Sequence, residues 1–137
     1  MLIRDLMKKD VITIEEEASV TDAARLMGDN RVGCLVVSKN KKVQGIITER
    51  DILTTLADND GNVENLTVHD AMTHYVFVVS PNQNVAKAVK LMKENNIKKV
   101  PVVENDILVG IITTSDIIIN QPELIKEVSS IVTKRGK

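Results

Sequence analysis

The 137 residues carry 18 basic and 19 acidic side chains, a formal net charge of −1, with 43% apolar and 27% charged residues. This is the composition of an ordinary folded domain, and near-neutrality removes the long-range positive field on which non-specific nucleic-acid binding depends. One cysteine excludes an intrachain disulfide framework, no apolar run approaches the ~18 residues needed to cross a bilayer, and the first residues lack a signal-peptide layout. A cytoplasmic protein without a membrane span is expected.

Along the chain, Val11-Ile12-Thr13-Ile14 reads as a short β-branched strand. Ser19 precedes Val20, Ala23, Ala24 and Met27, one apolar helical face with Asp22 in capping position. Strands are expected at Cys34–Val37 and Lys42–Ile47 around the turn-prone Lys39-Asn40-Lys41, and a second helix at Thr48. Cys34 lies in Gly33-Cys34-Leu35-Val36-Val37, the setting of a buried small hydrophobe. The polar stretch Ala57–Asn65 reads as a linker. The same elements then recur: strand Val76–Val79, a helix after Asn84, strands Val100–Val103 and Ile107–Ile112 around Asn105-Asp106, and a helix at Thr113. After Pro122, Leu124, Val128, Ile131 and Val132 share a helical face, and Lys134–Lys137 reads as a solvated tail.

The recurrence is a duplication. A shift of 65 positions lays Asp5–Ile52 on Asp70–Ile117 without a gap and with 16 identities in 48 positions. The expected division is repeat 1 at 1–57, linker 58–66, repeat 2 at 67–121 and a C-terminal helix and tail at 122–137. The fold class is α+β, each repeat running strand, helix, strand, strand, helix. Units of 50–60 residues bury only ~60% of their chain surface alone, so the copies are expected to pack by pseudo-twofold symmetry.

The densest identity is Gly-Ile-Ile-Thr-x-x-Asp, at Gly45–Asp51 and Gly110–Asp116. Glycine lets backbone approach a neighbour or a ligand. Threonine at a helix start sets a hydroxyl beside free N–H groups at the positive end of the dipole, a seat for phosphate. The aspartate one turn later suits the paired hydroxyls of a ribose. The same residues also fit a Thr-x-x-acid capping box, which needs no ligand, and both readings stay open at this point.

The double Gly-Ile-Ile-Thr-x-x-Asp resembles the CBS-domain pair, or Bateman module. So do Asp70-Ala71-Met72-Thr73, Ser80-Pro81-Asn82 and Lys98-Lys99-Val100-Pro101-Val102-Val103. The likeness covers about residues 2 to 121. It implies a regulatory, non-catalytic sensor of adenosyl ligands (AMP, ADP or ATP, with S-adenosylmethionine or NAD as further candidates), needing no cofactor, forming a homodimer and signalling to an unknown regulated protein. It also implies clefts built across the repeats. One would combine Thr48, Arg50 and Asp51 with Tyr75, Val76, Phe77, Ile97, Lys98, Lys99 and Pro101. The other would combine Thr113 and Asp116 with Asp10, Val11, Ile12, Gly33, Cys34 and Val36, the last departing from the family's proline. With Arg50, Lys98 and Lys99, the first is expected to take the phosphorylated ligand and the second a less charged one or none. Tyr75 and Phe77, the only aromatics, sit two apart and face a purine or fill the core.

The alternatives are a nucleic-acid-binding protein, and the regulatory piece of a larger enzyme such as IMP dehydrogenase. The Met1 start and complete second repeat point instead to a stand-alone chain. Catalytic motifs are absent, including the Walker loop and the Gly-x-Ser-x-Gly elbow. His69 and His74 have no third ligand nearby in sequence, so no metal site is expected.

Overall fold

In the computed structural model, residues 1–74 and 76–133 are described. The order is α1 (Ile3–Leu6), β1 (Thr13–Ile14), α2 (Val20–Asn30), β2 (Cys34–Lys39), β3 (Lys42–Thr48), α3 (Glu49–Asp58), α4 (Val68–Ala71), α5 (Val85–Asn95), β4 (Lys99–Glu104), β5 (Ile107–Thr113), α6 (Thr114–Asn120), a 3₁₀ turn at Pro122–Leu124 and α7 (Ile125–Thr133). The tail residues 134–137 and Tyr75, both read in the sequence, lie outside the described residues.

Local chemistry sets these boundaries. Ser19 Oγ accepts the Asp22 N–H at 2.9 Å and Asn84 Oδ1 the Ala86 N–H at 2.9 Å, capping α2 and α5. Both helices end on a left-handed residue, Arg31 and Asn96 (φ 53° and 52°). The hairpins turn on Asn40-Lys41 and Asn105-Asp106, all at positive φ, the conformation of a two-residue hairpin turn whose twist matches its strands.

The chain forms two compact units that do not follow the repeat boundaries: Ile12–Val76 in one, and Met1–Val11 with the chain from Phe77 onward in the other. In the first-repeat unit, β2 pairs antiparallel with β3 and parallel with β1. Leu35, Val37 and Ile47 pack with Val20, Ala23 and Met27 of α2. The layer is closed by the leader of the second repeat. Val68 and Ala71 of α4 join this core, and Thr73 exchanges two backbone bonds with Ile46, at 2.8 and 3.0 Å.

The second-repeat unit is built in the same way from the chain's own start. Ile3 and Leu6 of α1 enter its core, and Lys8 exchanges bonds of 2.9 Å in both directions with Ile111. Under the 65-residue shift Lys8 corresponds to Thr73 and Ile111 to Ile46, so each leader docks on the other repeat's hairpin. Gly45 and Gly110 make room for it. A Cβ would stand 2.5 Å from the Thr73 carbonyl oxygen at Gly45 and 2.8 Å from the Lys8 carbonyl oxygen at Gly110.

Three expected elements differ. The strand at 11–14 shrinks to Thr13–Ile14, and at 76–79 only a single bridge, Val79 to Val102, remains. The second loss has a covalent reason. Val36 donates its N–H to the Ile12 carbonyl at 3.2 Å, but the residue at the equivalent place is Pro101, which has no N–H to give. At the C-terminus α7 covers the second-repeat core through Val128 and Ile131, whereas Val132, expected on the same face, is 44% exposed.

Candidate functional site

Each strand-to-helix corner lies within one unit. At the first, Thr48 Oγ1 accepts the Asp51 N–H at 3.1 Å and Asp51 Oδ2 accepts the Thr48 N–H at 3.0 Å. The second repeats this with Thr113 and Asp116 at 3.1 and 3.0 Å, and the Thr113 hydroxyl adds a bond of 2.8 Å to Asp116 Oδ2. Both aspartates therefore close capping boxes. This does not exhaust them. An ionised carboxylate has about four lone-pair sites, and the cap draws on Oδ2, leaving Oδ1 to face something else.

What Oδ1 faces is delivered by the exchanged leader. The Thr73 hydroxyl lies 3.4 Å from both oxygens of Asp51, while Lys8 Nζ lies 3.5 Å from Asp116 Oδ1. Asp116 is buried, its side chain 7% exposed, whereas Asp51 is half-buried. A buried carboxylate needs such partners.

The hairpins decide the remaining neighbours. An antiparallel hairpin folds the end of its second strand beside the start of its first. Cys34 accordingly faces Thr48, and Glu49 donates to the Gly33 carbonyl at 3.0 Å. Lys99 faces Thr113, and Thr114 donates to the Lys98 carbonyl at 2.9 Å. The residues of the expected cross-repeat grouping are distributed over the two compact units. Gly33, Cys34 and Val36 share a unit with Thr48, Arg50 and Asp51, and Ile97, Lys98, Lys99 and Pro101 share one with Thr113 and Asp116. Of the leader residues, Val76 and Ile12 share a unit with Asp51, and Asp10, Val11 and Phe77 share one with Asp116.

Cys34, Val36 and Pro101 are buried, Arg50 and Asp10 exposed, and Val11, Ile12, Gly33, Val76, Phe77, Ile97, Lys98 and Lys99 half-buried. The sequence reading missed Lys8 and Thr73. The signal was present, since the two occupy one position of the duplication, but only the exchange of leaders shows that this position meets the corner acid.

Two helix-and-hairpin units that trade leaders, each ending a Gly-Ile-Ile-Thr strand in a capped helix, define a tandem α+β module. The CBS domain family matches this chain twice, at residues 3–58 and 68–123, and the chain belongs to that family. It is a CBS pair, a class of ligand-sensing regulatory module. The CBS domain pair of a protein solved in complex with 5′-methylthioadenosine and S-adenosyl-L-methionine is 30% identical, with a TM-score of 0.80, over 90% of this chain and 97% of that one. A CBS-domain protein from Agrobacterium tumefaciens is 29% identical, with a TM-score of 0.81, over 88% and 99%. A CBS domain-containing protein of Bacillus subtilis is 31% identical over 87% of this chain and 84% of that one. The chain also matches part of a longer protein, a homoserine O-acetyltransferase of Methanosalsum zhilinae, at 36% identity over 84% of this chain but only 23% of that one. Among the described residues no helix is long and apolar enough to cross a membrane.

Proposed function

We propose that the module binds an adenosyl ligand at its strand-to-helix corners, Asp51 and Asp116 holding the ribose hydroxyls, and reports occupancy to a partner protein. The observation that carries this reading is the state of the two carboxylates. Each is fixed in place by its cap, each keeps acceptor capacity on Oδ1, and each sits in the first turn of a helix, at the positive end of its dipole. The similarity to a CBS pair solved with two adenosyl compounds supports the ligand class.

The Asp116 corner is assigned the phosphorylated ligand. The grouping inside its unit supplies Lys8, Lys98 and Lys99 there, whereas the Asp51 corner has Gly33 and Cys34 at the positions of the two strand lysines and keeps Arg50 as its cation. Lys8 would exchange its carboxylate for a phosphate, a charge-assisted bond of at least equal strength. AMP, ADP and ATP are the candidates at Asp116. A less charged compound such as S-adenosylmethionine suits Asp51, with NAD as the remaining candidate. Association as a homodimer belongs to the same proposal, with exposed Leu53 on α3 and Ile119 on α6 as apolar faces for a second copy to cover. Partial coverage of a longer acetyltransferase supports a second reading, in which such a module is fused to the enzyme it regulates.

The test is a melting-temperature screen over AMP, ADP, ATP, S-adenosylmethionine and NAD. A ligand at 100 times its dissociation constant adds ~2.7 kcal/mol of stability. Asp116→Ala is expected to weaken nucleotide binding by about 10- to 100-fold, the loss of a charged hydrogen bond of ~1.5–3 kcal/mol. Lys98→Ala is expected to weaken ATP more than S-adenosylmethionine. A flat melting temperature across all five compounds ends the proposal.

A further inference from the structure

The first-repeat unit gathers, away from its corner, three side chains that are far apart in sequence. Glu16 lies in the turn between β1 and α2, His69 on α4, and His74 three residues beyond α4. Backbone bonds hold α4 to that turn: His69 N–H to the Glu16 carbonyl at 3.0 Å and Val68 N–H to the Ala18 carbonyl at 2.8 Å. Glu16 and His69 are thereby adjacent whatever their side chains do. Their ligand atoms, Oε2 and Nδ1, stand 3.5 Å apart. The His74 ring sits edge-on to that of His69, with centroids 4.7 Å apart. One ligand atom from each of the three residues lies within 4.8 Å of the other two.

We propose that Glu16, His69 and His74 bind a divalent cation of the zinc class. Tetrahedral zinc, with bonds of ~2.0–2.2 Å to nitrogen and oxygen, sets neighbouring ligand atoms about 3.3 Å apart. The Glu16–His69 separation already has that length. From the 4.8 Å bound, His74 has to close by up to about 1.5 Å, a rotamer adjustment for an exposed side chain. Its Nε2 lies 3.2 Å from the His69 carbonyl. As a donor there it keeps a lone pair on Nδ1 and fixes the ring, the arrangement in which ligating histidines are commonly held. Two imidazoles and one carboxylate leave a fourth position for water, and the imidazoles select zinc-like ions over magnesium or calcium. An exposed Glu16–His69 ion pair would need no such neighbour and contributes little by itself.

The experiment is calorimetric titration of Zn²⁺ into the metal-free full chain at neutral pH, without nucleotide, so that its outcome is independent of the ligand reading. One ion per chain is expected. His69→Ala and His74→Ala are each expected to lower affinity at least about tenfold, with His69→Gln and His74→Gln doing the same. Because these side chains are exposed, the metal-free variants keep the parent's circular dichroism and melting temperature. Cys34→Ser is expected to bind as the parent does, and Co²⁺ to give the intense visible bands of a tetrahedral site. Absence of zinc uptake by the parent overturns the proposal. So does unchanged affinity in both histidine variants, or a loss confined to Cys34→Ser, which would put the ion on the thiol.

Discussion

The two corners are one motif in two settings. Both aspartates close the same cap on the same threonine, with bonds that agree within 0.1 Å. Around that constant frame the chemistry diverges: Thr73 against Lys8 on the exchanged leader, Arg50 against Ser115 on the helix, and Gly33-Cys34 against Lys98-Lys99 at the strand start. The covering differs too. α6 buries Thr114, Asp116 and Ile117, whereas α3 buries none of its residues. Segments Pro122–Leu124 and α7 pack against α6, and the first-repeat unit has no counterpart among the described residues. Duplication preserves what the backbone requires, while the side chains free of that duty set charge and burial.

The largest effect should appear where covering differs most. Ile117 is fully buried and its equivalent Ile52 half-buried. Ile117→Ala is expected to lose about 2–5 kcal/mol, the range for emptying a closed core site, and Ile52→Ala less than half as much in urea unfolding. Equal losses would show that α7 adds no protection. Next come the glycines that admit the leaders. Gly45→Ala and Gly110→Ala force a methyl against backbone and are each expected to lose ~1–3 kcal/mol by overpacking. Gly45 should lose more, since its neighbouring carbonyl is closer by 0.3 Å (2.5 against 2.8 Å). Two neutral alanines would mean that neither leader docks tightly.

Much of this contrast is legible in the sequence, and the boundary is physical. The hairpins announce themselves through Asn40-Lys41 and Asn105-Asp106, and the corners through Thr48 and Thr113, because turns and caps are local. Helices α1 and α4, four residues each, are too short to show a period. The exchange of leaders is a long-range choice that no window of sequence contains, and with it went Lys8, Thr73 and the meeting of Glu16 with His69. The second hairpin was visible as well, and its closure sets Lys99 beside Thr113.

A charge swap on the leader sharpens the comparison at smaller cost. Lys8 is 66% exposed in its side chain but Asp116 only 7%, so Lys8→Thr, which offers the buried carboxylate a hydroxyl in place of its cation, is expected to lower stability by about 1 kcal/mol. On the proposed function it should weaken ATP binding severalfold, and the effect should shrink as salt rises. The reciprocal Thr73→Lys should strengthen phosphate binding at the Asp51 corner. Calorimetry on the two variants that left both corners unchanged would separate the leader residue from ligand choice.

The smallest effect concerns the caps of the leader helices. Asp5 accepts the Leu2 N–H at 3.0 Å, and the equivalent Asp70 accepts the Thr67 N–H at 2.9 Å and the Thr67 hydroxyl at 3.1 Å. The backbone bond to Thr67 first and its hydroxyl second hold the Asp70 carboxyl below its usual value, against desolvation, with the neighbouring His69 the least of the causes. A folded-state pKa below the unfolded one means stability that is fully present above the unfolded pKa and is lost as pH falls through the folded one. Asp70→Ala should therefore melt below the parent at neutral pH, by more than Asp5→Ala does, and the gap should narrow as acid protonates the parent's carboxyl. A gap that stayed constant with pH would place the contribution of Asp70 in helix packing, leaving Thr67 and Leu2 equivalent as caps.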